Sequence, residues 1–426
     1  MDSFDTTPRT RTRLDLLYRL SQTFNSSLDL YEVLNRVMDE VIASVKAERG
    51  FVMLINPDGS LRFTVARGID HQIINDPEFQ VSRSIVERVA REVKPVLTSD
   101  AQSDKRFSMR QSVMLLGLRS ILCVPLVLKE RALGVIYVDN RLQSGIFSPS
   151  DLELVTAISS NAAIAIENAR LYQLAVEKGR LEQELQMARQ VQINLLPEET
   201  PQIAGWEFSA SWRPARQVSG DYYDFIHLPD RQIGVVVGDV SDKGMPAALF
   251  MAMSRTTIRA SMNIASSPTE GIQNANRLIC SDTANGMFIT LFYAQINPQS
   301  GEITYVNAGH NPPLFCHNQA GRTGQLARLE RTGIALGVLE NAEYKQNTIR
   351  LSPGDFIMLY TDGVTDAKNS SGHHYGMERM ESLLMNKPDL TADHGISSLI
   401  QSIEEFSGES ESYDDITLTM VRRLPE

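Results

Sequence analysis

The chain moves between two hydrophobic rhythms, and the changes of rhythm mark its elements. Leu14, Leu17, Leu20 and Phe24 recur at three- and four-residue steps, the spacing of one helix face. Asp29 with Glu32 resembles a capping box ahead of Val33, Val37, Val41 and Val45, which predicts a second helix. The rhythm then shortens: residues 51–55 and 61–66 flank Asn56-Pro57-Asp58-Gly59 and predict a hairpin. Ile85, Val86, Val89 and Val93 predict a short helix stopped near Pro95. A second strand pair is expected over 120–128 and 133–139. Ser148-Pro149-Ser150-Asp151 then starts a helix, with a serine cap and proline at the first helical position.

From 171 to 195, Leu171, Leu174, Leu181, Leu185, Ala188 and Leu195 fall on alternating threes and fours, with Lys178 and Gln192 at the two intervening seam positions. The spacing predicts a short parallel coiled coil continuing the preceding helix for roughly 37 Å at ~1.5 Å per residue. Its polar seam residues fix register at some cost in stability. An amphipathic helix lying on its own domain fits the same spacing. Pro197, Pro201 and Gly205 end it. Beyond them, 233–237 reads as a buried strand, 247–262 and 269–282 as helices, and 287–296, 302–307 and 346–351 as strands, with a turn at 298–301.

Four segments of this second half place an aspartate where an apolar strand begins or ends: VSGDYYDF (218–225), GDVSDKGMPAAL (238–249), FIMLYTDGV (356–364) and YDDITLTMV (413–421). Asp239 is expected just past the 233–237 strand, on a turn that Gly238 and Gly244 open to close approach. Alone, such an aspartate merely caps the next helix. In an antiparallel sandwich, however, one strand's end lies beside the next one's start, so all four sets can meet at one edge. Carboxylates gathered there repel unless cations hold them. An all-oxygen set without nearby Cys or His favours Mg2+ or Mn2+ over Zn2+.

The 426 residues suggest two or three domains. A net charge of -11 with pI near 5.3 argues against non-specific nucleic-acid binding and against a polybasic membrane anchor. Residues 1–13 lack a signal-peptide pattern and no apolar run is long enough to span a bilayer, so a soluble, cytoplasmic protein without membrane or nucleic-acid partners is expected. Cys123, Cys280 and Cys316 are scattered and odd in number, as for reduced thiols.

SGDYYDF, GDVSDKGMPAAL, NAGHNPPLF (307–315), LYTDGVTDA (359–367) and DDITL, in this order from about 197 to 424, resemble the metal-dependent PPM serine/threonine phosphatases, in the bacterial SpoIIE/RsbU-like branch. The resemblance implies an α-β-β-α sandwich in which Asp239 bridges two Mn2+ or Mg2+ ions, with the Val240 carbonyl as a further ligand. It implies Asp221, Asp362 and Asp415 as the other metal-binding aspartates. Two such cations, roughly 3.5–4 Å apart, lower the pKa of a bridging water and orient it on phosphorus, so no protein nucleophile is required. Asp415 is preferred as ligand because it directly precedes Ile416-Thr417, leaving Asp224 and Asp414 as supporting partners. Arg213, Arg216 and Lys243 read either as phosphate-gripping groups or as solvated charges. His310 reads either as a general acid or as a turn-stabilising histidine, the second being the blander. His373 and His374 read as loop residues. Asp242 stands where many relatives have Gly, and Asp366 where many have Glu; neither is a ligand.

In the first half, SILCVPL (120–126) followed by LGVIYV (133–138) resembles a GAF sensor domain, which implies a small-molecule pocket over the sheet. Asn140, Arg141, Phe147 and Asp151 partly match a cyclic-nucleotide signature, but Arg141 replaces its Lys and Leu152 its Glu, so structural roles are expected. Cys123 lies in an apolar strand and is expected in the core rather than on a bilin. The ligand stays unassigned. The expected organisation is an α/β (α+β) chain with a GAF domain at 10–170, a helical coiled-coil linker at 171–196 and a PPM domain at 197–424. The expected function is a metal-dependent phosphoserine/phosphothreonine phosphatase set by the GAF domain through a homodimeric linker. Its expected substrate is a phosphorylated anti-sigma-factor antagonist of the STAS type, in partner-switching signalling. Two rivals stand beside it. A nucleotidyl cyclase is suggested by a likeness of SGDYY to the GGDEF signature, which leaves the four later motifs without a place. A catalytically silent scaffold has no need of clustered carboxylates that are costly without cations.

Overall fold

Asp29 accepts a hydrogen bond from Glu32 N at 3.0 Å and so starts α1 (Leu30–Val45), whose periodic apolar face buries Val33, Leu34, Val37, Met38 and Val41. The computed structural model describes residues 29–69, 72–74, 81–104, 117–282, 286–317, 325–385, 390–408 and 414–425; the expected helix through Leu14 and Phe24 lies outside them. The chain divides into two compact units, Met1–Arg180 and Leu181–Glu426.

In the first unit, β1 (Arg49–Ile55) and β2 (Leu61–Gly68) form the expected hairpin, closed where Asn56 N donates to Ser60 O at 2.8 Å. α2 (Arg83–Glu92), β3 (Val96–Thr98), β4 (Ser120–Leu128) and β5 (Arg131–Asn140) complete an antiparallel sheet in the order β2-β1-β5-β4-β3. Alternation along β4 and β5 divides their side chains between two cores. Leu122, Val124 and Val138 pack with α1 and with the start of α3 (Pro149–Leu195), while Ile121, Cys123 and Tyr137 pack with α2. Cys123 is fully buried, and burial pushes its thiol well up, as expected of a core cysteine.

Three of the four nucleotide-like residues have structural work. Asn140 Oδ1 accepts from Leu142 N and Gln143 N, Phe147 is buried in the core, and Asp151 Oδ2 accepts from Ser148 N and Ser148 Oγ at the start of α3. A cavity of about 400 Å³ is lined by Met53, Leu61, Phe63, Val86, Arg83 and Glu87.

The second unit stacks two five-stranded antiparallel sheets. One runs β13-β10-β9-β8-β7 and the other β12-β11-β14-β15-β6. The first comprises β7 (Tyr222–His227), β8 (Ile233–Val240), β9 (Ile289–Asn297), β10 (Glu302–Ala308) and β13 (Asn347–Arg350). The second comprises β6 (Trp206–Arg213), β11 (Leu314–His317), β12 (Gln325–Arg328), β14 (Phe356–Tyr360) and β15 (Ile416–Arg423). Val235, Val237, Phe292, Ile357, Leu359 and Val421 fill the space between the sheets. α4 (Met245–Ile264) and α5 (Pro268–Asp282) cover the outer face of the first sheet. α7 (Met377–Met385) and α8 (Ala392–Ser407) cover that of the second, and the one-turn α6 (Asp362–Asp366) follows β14. The result is the expected α-β-β-α sandwich.

β8 runs three residues further than its apolar run predicts. Asp239 pairs with Thr290 and Val240 with Ile289, so Asp239 sits within the strand end, and the turn falls on 241–244. Asp242 (φ 71°) and Gly244 (φ 82°) take the positive-φ conformations that turn requires. Among the described residues no helix is long and apolar enough to cross a membrane.

Candidate active site at the sandwich edge

Strand register brings the aspartates together. Tyr222 pairs with Gly238, so Asp221 and Asp239, one step further out, stand opposite each other at the end of the β7–β8 ladder. In the other sheet Tyr360 pairs with Leu418, which puts Asp362 and Asp415 at the corresponding end of β14–β15. Two glycines let the backbones close up. A methyl added to Gly363 would lie 2.0 Å from the Asp415 carbonyl oxygen, and one added to Gly220 would lie 3.2 Å from the Val240 carbonyl oxygen.

Crowding shows in the acid strengths. Asp221 is 3 % exposed, its Oδ2 makes no hydrogen bond, and burial followed by the charges of Asp239 and Asp415 holds its carboxyl well above the usual range. Burial and then Asp362 push the Asp239 carboxyl up to about 7, with Asp414 and Asp415 adding to the push. Burial, Asp414 and Asp366 raise the Asp362 carboxyl, and Lys243 opposes them.

The two neighbouring acids of the last motif have different occupations. Asp415 Oδ1 accepts from Ala215 N at 2.7 Å, and its Oδ2 accepts from Ser219 Oγ at 2.6 Å and Gly220 N at 3.1 Å. Its carboxylate thus holds the segment that carries Asp221, while its charge acts on Asp221 and Asp239. Asp414 faces Asp239 and Asp362 electrostatically and pairs with Lys243 at 2.8 Å. Both acids therefore stand at the edge with different neighbours: Ala215, Ser219 and Gly220 present donors to Asp415, and Lys243 pairs with Asp414. Among the described residues no three acidic, imidazole or thiol side chains form a ready-made cation cage. The donor set nevertheless suits a hard cation, being all oxygen, mutually repelling, and including the orphaned Asp221 Oδ2.

Other expected participants lie elsewhere. Asp224 is buried on β7, where Arg255 and Arg259 pair with it at 3.2 and 2.7 Å and tie α4 to the sheet. Arg213 pairs with Glu404, Arg216 is exposed, and Lys243 is engaged by Asp414. His310 is buried, and burial lowers its imidazole to about 4, so it is neutral at pH 7. Its Nδ1 lies 2.9 Å from Thr290 Oγ1, which donates to the Asp239 carbonyl at 3.4 Å. Its backbone N donates to Asn307 Oδ1, so the residue stiffens the turn behind Asp239. His373 and His374 are exposed on a loop, where Asn369 Oδ1 accepts from His373 N.

Gln192 is the site-adjacent residue for which the spacing left two readings, a coiled-coil seam or a helix lying on its own domain. It is buried against Ser219 rather than on a free seam, and its polarity in an apolar repeat was the only signal.

Residues 229–424 match the family model of stage II sporulation protein E (SpoIIE), and residues 27–167 match a GAF domain model; Asp221 lies just outside the first span. The chain is similar to phosphoserine phosphatase RsbU of Bacillus subtilis, with 32% identity over 57% of this chain and 71% of that protein. It is also similar to protein IcfG of Synechocystis sp., with 33% identity over 56% of this chain, but it spans only 41% of that longer protein. The SiaA-PP2C domain of Pseudomonas aeruginosa superimposes with a TM-score of 0.52 at 20% identity, covering 58% of this chain and 99% of that domain, a likeness of fold. Sandwich, motif order and relatives agree: this chain belongs to the SpoIIE family, with a PP2C-type phosphatase fold preceded by a GAF domain.

Proposed function

We propose that the chain is a metal-dependent phosphoserine/phosphothreonine protein phosphatase, set by its GAF domain and acting on a phosphorylated STAS-type anti-sigma-factor antagonist in partner-switching signalling. The observation that carries this reading is the convergence of Asp221, Asp239, Asp362 and Asp414 on one sandwich edge, where their carboxyls repel. Relatives named phosphoserine phosphatases, RsbU and RsbP of Bacillus subtilis, support the reaction class. Exposed Met245, Leu249 and Phe288, at the start of α4 and beside the 241–244 turn, suit a protein rather than a small molecule as substrate.

We assign Asp221, Asp239, Asp362 and Asp414, with the Val240 carbonyl, to holding Mn2+ or Mg2+. Asp415 supports them by fixing the 215–220 segment. Bound there, the cations would supply a water of lowered pKa and neutralise phosphoryl oxygens. Lys243 holds Asp414 in place, and its charge opposes the rise of the Asp362 carboxyl. Thr290 and His310 brace the Asp239 backbone. We further propose the domain division 10–170, 171–196 and 197–424, with dimerisation along α3, where Leu171, Leu174 and Leu181 each leave about half their surface exposed.

Hydrolysis of p-nitrophenyl phosphate and of a phosphoserine STAS protein should require Mn2+ or Mg2+ and stop with EDTA. Asp239→Asn and Asp414→Asn should each lower kcat by ~100-fold or more. An Asp414→Asn enzyme as active as wild type would return the ligand role to Asp415.

Stability offers a second check. A carboxyl raised from 3.8 to about 7 on folding binds its proton more tightly in the native state, so its contribution is complete below pH ~4 and is lost as pH rises through 7. In EDTA, Tm should therefore fall between pH 5 and 8, and Asp239→Asn should raise Tm at pH 8 by at least ~2 °C. A Tm unchanged by the substitution would mean that burial and its acidic neighbours do not raise the Asp239 carboxyl.

For the linker, sedimentation at micromolar concentration should give a dimer, and Leu174→Glu with Leu181→Glu should give a monomer. A monomeric wild type would remove the coiled coil.

A further inference from the structure

Lys243 stands in the 241–244 turn, between Asp242 (φ 71°) and Gly244 (φ 82°), where β8 gives way to α4. Its Nζ lies 2.8 Å from Asp414 Oδ2. The other oxygen of that carboxylate, Oδ1, accepts from Asp415 N at 3.0 Å. The same ammonium acts on Asp362, whose carboxyl it lowers against the opposing effects of burial, Asp414 and Asp366. One positive charge therefore serves two carboxylates that repel each other.

An ammonium resembles the ion it would meet at this edge. It is a compact, strongly hydrated point charge on a flexible stem, and carboxylate oxygens are also what hard divalent cations take. Asp362 and Asp414 are two of the groups assigned above to such ions, so a cation reaching for Asp414 Oδ2 finds that oxygen engaged. Two positive charges close together on one carboxylate repel, and the ammonium has to give way. Its surroundings permit this. The side chains of Lys243 and Asp414 are 37 % and 29 % exposed, so the lysine head can turn to water while its stem stays on the protein. The acid of the neighbouring motif is held differently: Asp224 is 1 % exposed beneath Arg255 and Arg259, and separating that set would strand a buried charge. One pairing is a fixture of the fold, and the other is releasable.

We infer that Lys243 is a built-in counter-ion of the acidic edge that competes with the divalent cation for Asp414. It offsets the repulsion in the cation-free protein and is displaced when the cation binds. The lysine thereby lowers cation affinity while stabilising the cation-free fold. The inference rests on reading that edge as a cation site. A lysine that only ordered Asp414 for the ion would act with the opposite sign, since its removal would weaken binding.

The test uses the full chain, with Lys243→Gln, Lys243→Met and Lys243→Arg. Mn2+ binding is measured by calorimetry at pH 7, and Tm is taken in EDTA and in saturating Mn2+. Lys243→Gln should bind Mn2+ ~5-fold or more tighter than wild type, the factor by which the ammonium competes. In EDTA its Tm should fall by ~2 °C or more, and in saturating Mn2+ the deficit should vanish or reverse. Lys243→Met removes the same charge, should behave alike, and serves if the glutamine variant does not fold. Lys243→Arg keeps the charge and can pair with Asp414 through two N–H groups, so it should bind Mn2+ no more tightly than wild type. Neutral variants that bind Mn2+ no more tightly than wild type, or that lose the same Tm with and without Mn2+, would overturn the inference and leave the cation site standing. Wild type that binds no Mn2+ would overturn the cation-site reading and the competition with it.

Discussion

The constraint on which the second unit depends is the repulsion among carboxylates at one edge of its sandwich. Asp221 is buried with an oxygen that lacks a hydrogen bond, and it faces Asp239 across the end of a strand pair. Without a counter-charge such a group is tolerated only by holding its proton, as the raised carboxyls of Asp221, Asp239 and Asp362 show. The surrounding fold gives these groups little freedom to separate. Asp239 is within a ladder paired to β9, and Gly363 admits the Asp415 carbonyl where any side chain would exclude it. The edge is therefore strained in charge and rigid in shape, a combination suited to binding cations rather than to stability.

Rigidity is distributed among the residues around the site. Thr290 and His310 fix the Asp239 carbonyl from below. Asp224, although one of the acidic residues of its motif, is turned to Arg255 and Arg259 and fastens α4, the helix that follows the 241–244 turn. Asp415 gathers three donors from 215–220. A single motif thus mixes groups that face the edge with groups that hold it, and adjacency in sequence does not separate the two.

That mixture marks where sequence reasoning reached its limit. The sandwich was implied by the resemblance, and α1, α2, α4, α5 and the meeting of the four motif-bearing segments were legible, because apolar periodicity reports burial and antiparallel strand ends must adjoin; α7 and α8 carried no expectation. The extra residues of β8 were not, since Gly238 and Asp239 have poor strand propensity and are kept in the ladder by pairing with β9. Strands β11 and β12 are four residues each, too short for a period to register. The choice between Asp414 and Asp415 turns on which backbone donors lie nearby, and those come from residues some 200 positions away in sequence.

The linker shows the same ambiguity resolved in two parts. A heptad pattern states that one face of a helix is apolar and does not state what covers it. Along α3, Leu171, Leu174 and Leu181 stay exposed, whereas Leu185 and Ala188 are partly covered and Gln192 and Leu196 are buried with the second unit. The helix thus changes character along its length, from exposed leucines to an intramolecular contact at Gln192. A polar residue in such a seam usually fixes register between two chains at a cost in stability. At Gln192 the cost is offset instead by two hydrogen bonds to Ser219, so the register it fixes is that of the helix on its own catalytic edge.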